Sequence, residues 1–346
     1  MTSKIQLAHD PKKVVRLLLA VLPERSKEVL TLRFGLGKST KQATLEAIGQ
    51  EYGITRERVR QIENHSLDAI RKSGAMKEQE AVFVELQGVI RDMGCIISEN
   101  DLLDAVGSTG SIQNHVHFLL VLGEFFVHAK ETPEFKTRWS IDKDIAGTIE
   151  GALQSLYKTI PGDEILNEAD LIDRFLENLQ DLNEEYKKEE MLKRWLSMFK
   201  NLDRNPLGEW GRISSSSIRA KGIRDYAYLA MKRHGSPMHF SEVADAIAEL
   251  FDRRAHVATC HNELIKDKRF VLVGRGLYAL KEWGYKTGVV RDVIKELIER
   301  EGPLTRDEII DQVKKERYVK DNTILVNLND RSVFKRNAAD GTYSLV

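Results

Sequence analysis

Cysteine is scarce. Cys95 and Cys260, the two in 346 residues, lie far apart and in no CxxC pair, which leaves no disulfide framework and suits a reducing cytoplasm. Long apolar runs are missing as well. The best near the start, Val14 to Leu22, is broken by Arg16 and followed by Pro23, too short for a bilayer span and without a signal-peptide cleavage pattern. A cytoplasmic protein with no membrane association is therefore expected. Catalytic constellations are equally thin. His256, Cys260 and His261 fall in one helical stretch with no fourth ligand at zinc spacing, and Ser214 to Ser217 read as a linker or N-cap with no His–Asp partners. Gly274-Arg275-Gly276 is too short to cradle a phosphate. No enzyme, cofactor, metal or small-molecule substrate is expected.

Net charge is also lacking, with 53 Lys and Arg against 53 Asp and Glu, but the zero hides a division. Residues 1–74 carry 14 cations against 8 anions, a net of +6; residues 75–210 carry 14 against 26, a net of −12; residues 211–346 carry 25 against 19, again +6. Basic ends suit a polyanion. The acidic middle either avoids one or is simply solvated helix surface. The length is too great for one small core, so two or more domains are expected.

What is present begins with punctuation. Asp10-Pro11 is an N-cap followed by proline at the first helical position, and Val14, Val15, Leu18, Leu19 and Leu22 then recur at the helical period. A second helix runs from Pro23 to Phe34 and stops at Gly35 and Gly37. After the connection Lys38 to Ala43, Thr44 opens a short helix to Glu51. The turn Tyr52-Gly53-Ile54 leads to a long helix from Thr55 to Lys72. That order is a helix-turn-helix, with Leu45, Ile48, Val59 and Ile62 able to pack the two helices and Gly53 where a positive φ is needed. The exposed side of the second helix offers Arg56, Glu57, Arg60 and Gln61. Arg can bind guanine twice, Gln can pair with adenine, and Glu can accept from cytosine. Arg33, Arg58, Arg71 and Lys72 are better placed for phosphates or intrahelix pairs. A charged helix face is usually only solvated, but these charges begin at the helix N-terminus directly after the turn.

The rest of the chain reuses one plan. Residues 235–280 and 302–346 both start with Gly and Pro (Gly235/Pro237, Gly302/Pro303) and continue to Glu242-Val243 and Glu308-Ile309. Each then has Leu six residues before Phe, Leu264/Phe270 and Leu328/Phe334, and ends in Tyr-x-Leu, Tyr278/Leu280 and Tyr343/Leu345. Two helices followed by two short strands around a turn, Gly274-Arg275-Gly276 or Ala339-Asp340-Gly341, make a winged helix. A fainter version is expected at 80–142, its wing between Phe125 and Ile141. Residues 145–222 read as an acidic helical spacer or a degenerate repeat.

Leu30 to Leu36, Thr44 to Gly49 and Tyr52 to Glu63 together resemble region 4 of bacterial primary sigma factors, over about residues 20–73. The resemblance implies promoter-reading duplex DNA contact and association with core RNA polymerase. It also implies that the helix around Leu30 to Leu36 docks on the polymerase flap. The expected DNA-contacting set is Arg33, Thr44, Thr55, Arg56, Glu57, Arg58, Arg60 and Gln61. His65 departs from the family's usual basic residue, and nothing resembles the aromatic-rich DNA-melting region. Arg224 to Ala230, Gly235 to Val243 and Gly276 to Leu280 resemble the HARE-HTH winged helix of the polymerase delta subunit, over residues 223–284. The expected fold is mainly α and multi-domain. It comprises a helix-turn-helix (1–74), a winged helix (75–144), the spacer or degenerate repeat (145–222), the HARE-HTH winged helix (223–284) and a C-terminal winged helix (285–346). The rivals are a polymerase-bound or anti-sigma-like accessory protein that docks only on protein, and a subunit of a DNA-processing enzyme.

Overall fold

Side-chain caps start the first helices where the sequence places them. The Asp10 carboxylate accepts from the Lys12 amide at 2.9 Å at the head of α1 (Pro11–Leu19). Helix α2 (Glu24–Phe34) ends on Gly35 at φ 63°, and α3 (Leu45–Tyr52) ends on Gly53 at φ 64°. After that turn comes α4 (Arg56–Arg71). A computed structural model describes residues 4–107, 109–180, 182–285, 290–316, 319–337 and 340–346. The chain divides into two units, residues 1–203 with 210–213, and residues 204–209 with 214–346. Ala339, expected in the last wing turn, lies outside the described residues, as does Ser108.

The first unit continues with α5 (Gly74–Glu78), α6 (Glu80–Asp92), β1 (Ile96–Ser98), α7 (Glu99–Val106), α8 (Gly110–Leu122), β2 (Val127–Ala129) and β3 (Arg138–Ser140). From α6 the order is helix, strand, helix, helix, strand, strand. The three strands pair antiparallel in the order β1-β3-β2, with Trp139 opposite both Ile97 and His128. The stretch expected as spacer or degenerate repeat repeats this order: α9 (Lys143–Thr159), α10 (Glu168–Glu177), α11 (Glu189–Met198), β4 (Leu202–Arg204) and β5 (Trp210–Arg212). A bridge from Leu166 to Trp210 stands where the first strand would be.

Two large cores and a small one hold this unit. One gathers Val14, Leu18, Leu30, Phe34 and Ile70 with Phe83, Leu86, Leu102, Phe118, Leu119 and Trp139. It therefore runs past residue 74 and joins the helix-turn-helix helices to α6, α7 and α8. Phe34 meets the edge of Phe118 at 5.0 Å, and Asn114 of α8 donates to the Gly35 and Thr40 carbonyls. The second core gathers Ile96 and Phe135 with Leu153, Phe175, Trp195 and Trp210.

The second unit holds α12 (Ile223–His234), β6 (Met238–His239), α13 (Phe240–Phe251), α14 (Val257–Lys266), β7 (Phe270–Leu272) and β8 (Leu277–Leu280), with sheet order β6-β8-β7. It continues with α15 (Val290–Glu301), α16 (Arg306–Glu316), α17 (Asp321–Leu328), β9 (Phe334–Arg336) and β10 (Tyr343–Leu345). A Leu304–Tyr343 bridge stands in place of the first strand. The repeated sequence anchors are core residues: Leu264, Phe270 and Leu280 in one cluster, Leu328 and Phe334 in the next. Small sheets of two or three strands among many helices make the fold mainly α with short wings. Among the described residues, no helix is long and apolar enough to cross a membrane.

Candidate nucleic-acid interface

Helices α3 and α4 meet over a small core of Val29, Ile48 and Val59, closed by Leu45, Ile54 and Ile62. The turn between them is tight. A Cβ on Gly49 would lie 2.7 Å from the Ile54 carbonyl oxygen, so glycine is needed there for the backbones to approach. Both helices are capped by threonine. Thr44 Oγ1 accepts from the Ala47 amide at 3.1 Å, and Thr55 Oγ1 accepts from the Arg58 amide at 3.2 Å. Each hydroxyl keeps its own proton to donate, next to amides at the positive end of a helix. A groove between the helices is lined by Glu46, Gly49, Gln50, Gly53, Ile54, Thr55, Arg56 and Arg58.

Arg56, Glu57, Arg58, Arg60 and Gln61 are all exposed on the first two turns of α4. They are already engaged with one another. Arg60 forks onto Glu57, Nε to Oε2 at 2.9 Å and Nη2 to Oε1 at 2.6 Å, while Arg58 Nη1 donates to Gln61 Oε1 at 3.0 Å. The hydrogen bonds from Arg60 hold the Glu57 carboxyl below its ordinary value, and Glu57 in return raises Arg60. The face thus presents a preformed acceptor–donor array rather than loose charges. Sequence reasoning passed over Asn64. It is exposed, seven residues beyond Glu57 and three beyond Gln61, and so continues the same face by another turn. Its spacing was the available signal.

Arg33 is placed elsewhere. Its Nη1 donates to the Ala43 carbonyl at 3.3 Å and its Nε lies 3.5 Å from Glu63, so this partly buried cation ties α2 to α4. Arg71 likewise turns inward: Nε and Nη2 donate to the Leu122 and Val121 carbonyls at the end of α8, and Nη1 pairs with Asp68. Cations suit those unsatisfied helix-end carbonyls. The face around Leu30 to Leu36, expected as a polymerase-docking surface, buries Leu30 and Phe34 against the chain's own α8. Among the described residues, no group of His, Cys, Asp and Glu is arranged to hold a metal. Cys260 is buried, and burial pushes its thiol up to about 11, which suits packing and not ligation.

A tri-helical scaffold with a capped, exposed second helix of this kind defines a DNA-binding helix-turn-helix class. Comparison with known families narrows it: residues 18–72 match Sigma-70, region 4, and form such a domain. Similar curated proteins include RNA polymerase sigma factor RpoS of Coxiella burnetii, 50% identical over 64 residues, which are 18% of this chain and 17% of that protein. RNA polymerase sigma factor RpoD of Helicobacter pylori is 43% identical over 65 residues, 19% of this chain and 10% of that protein. RNA polymerase sigma-B factor of Nostoc sp. is 51% identical over 57 residues, 16% of this chain and 17% of that protein. The chain spans less than a fifth of the length of each of these relatives.

Proposed function

We propose that the chain is a DNA-binding transcription protein that reads promoter-type duplex through α4 and associates with core RNA polymerase in the cytoplasm. The observation that carries this is the exposed Glu57–Arg60–Gln61 face of α4, capped by Thr55 and packed on the Thr44-capped α3 inside a Sigma-70 region 4 domain. Thr44, Thr55, Arg56 and Arg58 hold the flanking phosphates, and Asn64 joins the base-facing set. The four stretches, two of them with a bridge in place of the first strand, are read as winged helices, with 223–284 of the HARE-HTH type. Catalysis has no part in this reading.

The test is a titration of the full chain on single-base variants of its preferred duplex. Arg60→Ala is expected to cost about 1–3 kcal/mol on the best site and to relax selectivity at one base pair. Gln61→Ala is expected to do so more mildly, and Lys72→Ala, at the C-cap of α4, to leave the base preferences intact. Equal losses on every sequence for Arg60→Ala would restrict that residue to phosphate contact and remove the readout assignment.

A further inference from the structure

Four stretches share the winged-helix order, and in such an order the third helix and the strand hairpin are the parts free to meet a ligand. Their surroundings differ. Helix α8 is packed on α1 and α2, and α11 on β1, with Trp195 Nε1 donating to the Gly94 carbonyl at 3.2 Å. Helix α14 is open and mixed: Val257, Thr259, Asn262 and Ile265 are all exposed on it, Ile265 by 61%. Helix α17 is open and polar. Asn322, Thr323 and Asn329 are exposed on it or at its end, around Val326 at 64%.

The charges around α17 are sorted by sign. Lys320 at its N-cap, Arg331 in the turn after it, and Lys335 and Arg336 on β9 are all exposed. Among the described residues, none of these four side chains has a salt-bridge or hydrogen-bond partner. The neighbouring carboxylates are all occupied. Asp321 pairs with Lys314 at 2.5 Å, Asp330 with Arg291 at 3.6 Å and Ser332 at 2.5 Å, and Asp340 accepts from the Thr342 amide and hydroxyl at 3.0 and 2.7 Å. The anions are therefore spent inside the fold and the cations face water. Lys335 and Arg336, adjacent on one strand, carry charge on both faces of the wing.

We infer that α17 and the β9–β10 wing form a second, sequence-independent contact for the phosphate backbone of duplex DNA. Unpaired cations around a neutral Asn/Thr helix match a polyanion. The surface lacks the paired Arg–Glu array of α4. This second surface is independent of the α4 face and would operate on any duplex.

The experiment uses the full chain and a duplex of arbitrary sequence, with affinity measured across a salt series. Lys320→Ala, Arg331→Ala, Lys335→Ala and Arg336→Ala combined should weaken binding by tenfold or more. The slope of log K against log salt should shrink by about 0.9 for each phosphate that is no longer neutralised. Base preferences at the best site should be unchanged. As a complementary check that does not depend on a damaged fold, Val326→Lys should strengthen binding and steepen the slope. An unchanged slope in both variants would overturn the inference. So would a loss seen on duplex RNA but not on DNA, or failure of the unmodified chain to bind any duplex. Loss of selectivity in Arg60→Ala, with the salt effect of the α17 variants intact, would separate this surface from that of α4.

Discussion

Gly49 and Gly53 stand four residues apart and resist a side chain for different reasons. At Gly53 the backbone is left-handed but the space is open, so Gly53→Ala should cost only the conformational strain, about 1–2 kcal/mol. At Gly49 the added methyl would press on the Ile54 carbonyl, and only by parting α3 from the turn could it be relieved. Gly49→Ala should cost about 1–3 kcal/mol and, unlike Gly53→Ala, should also displace α4 and weaken DNA binding. Thermal melts beside DNA titrations would compare them; equal effects on binding would show that the close approach at Gly49 does not set the angle of α4. Arg33 and Arg71 teach a related lesson. Each looks like a phosphate ligand by type and position, yet their partners are Ala43 and Glu63, or Val121 and Leu122, which the local sequence does not announce.

Among elements, α8 has the most consequence for the rest. Its sequence, Gly110 to Leu122, buries His115, Val116, Phe118, Leu119, Leu120 and Leu122, because one side faces α7 and the other faces α1 and α2. Caps, turns and the helical period were legible because they are local. Thr44, Thr55, Gly35 and Gly53 act where the sequence puts them. What α8 packs against was not legible, since periodicity shows that a face is apolar but not which partner covers it. The clue was a helix apolar on nearly every side, the pattern of an element buried twice. In residues 143–212, short strands and a missing first strand hid the order of three helices and two strands that α9 to α11, β4 and β5 follow.

The same helix gives a pH dependence. Burial lowers His115 and His117 below their ordinary value of 6.5; for His117, Glu99 opposes the shift while His128 and Arg33 reinforce it. His117 sits with its ring 6.0 Å from Phe34 and 6.1 Å from Trp139, and Glu99 also accepts from the Trp139 indole at 2.8 Å. Unfolded, these imidazoles bind protons at higher pH than in the fold. Stability is therefore full above 6.5 and falls as pH drops from there toward the lowered values. Melting temperature should be lower near about pH 5.5 than near about pH 7.5, and His117→Phe should flatten that difference. A slope untouched by both His117→Phe and His115→Phe would assign the acid sensitivity to other groups.

For the whole molecule, the boundary of the DNA-binding part follows the core and not the motif. A fragment ending at residue 74 keeps α1 to α4 but strips Phe118, Leu119 and Trp139 from Leu18, Leu30, Phe34 and Ile70. Each large apolar side chain so uncovered forfeits about 1.5–3 kcal/mol of burial. Residues 1–213 should therefore melt cooperatively and bind duplex with base preference, whereas residues 1–74 should melt lower and bind a hydrophobic dye. Equal melting temperatures for the two fragments would show that the helix-turn-helix stands without α8. The charge division also takes on meaning here: the −12 stretch shares a unit with the basic helix-turn-helix, and the +6 of residues 211–346 lies almost wholly in the other.

The placement of tryptophan carries a practical consequence. Trp139, Trp195 and Trp210 are buried in the first unit, and Trp283 belongs to the second, packed beside the cores of α12 to α14 and the β7–β8 wing. Nature has thus left one indole as a private reporter for residues 214–346. With Trp283→Phe the indole emission comes from the first unit alone. The difference from the unmodified chain isolates the second, so each half can be watched while the other melts or meets DNA, with no dye attached.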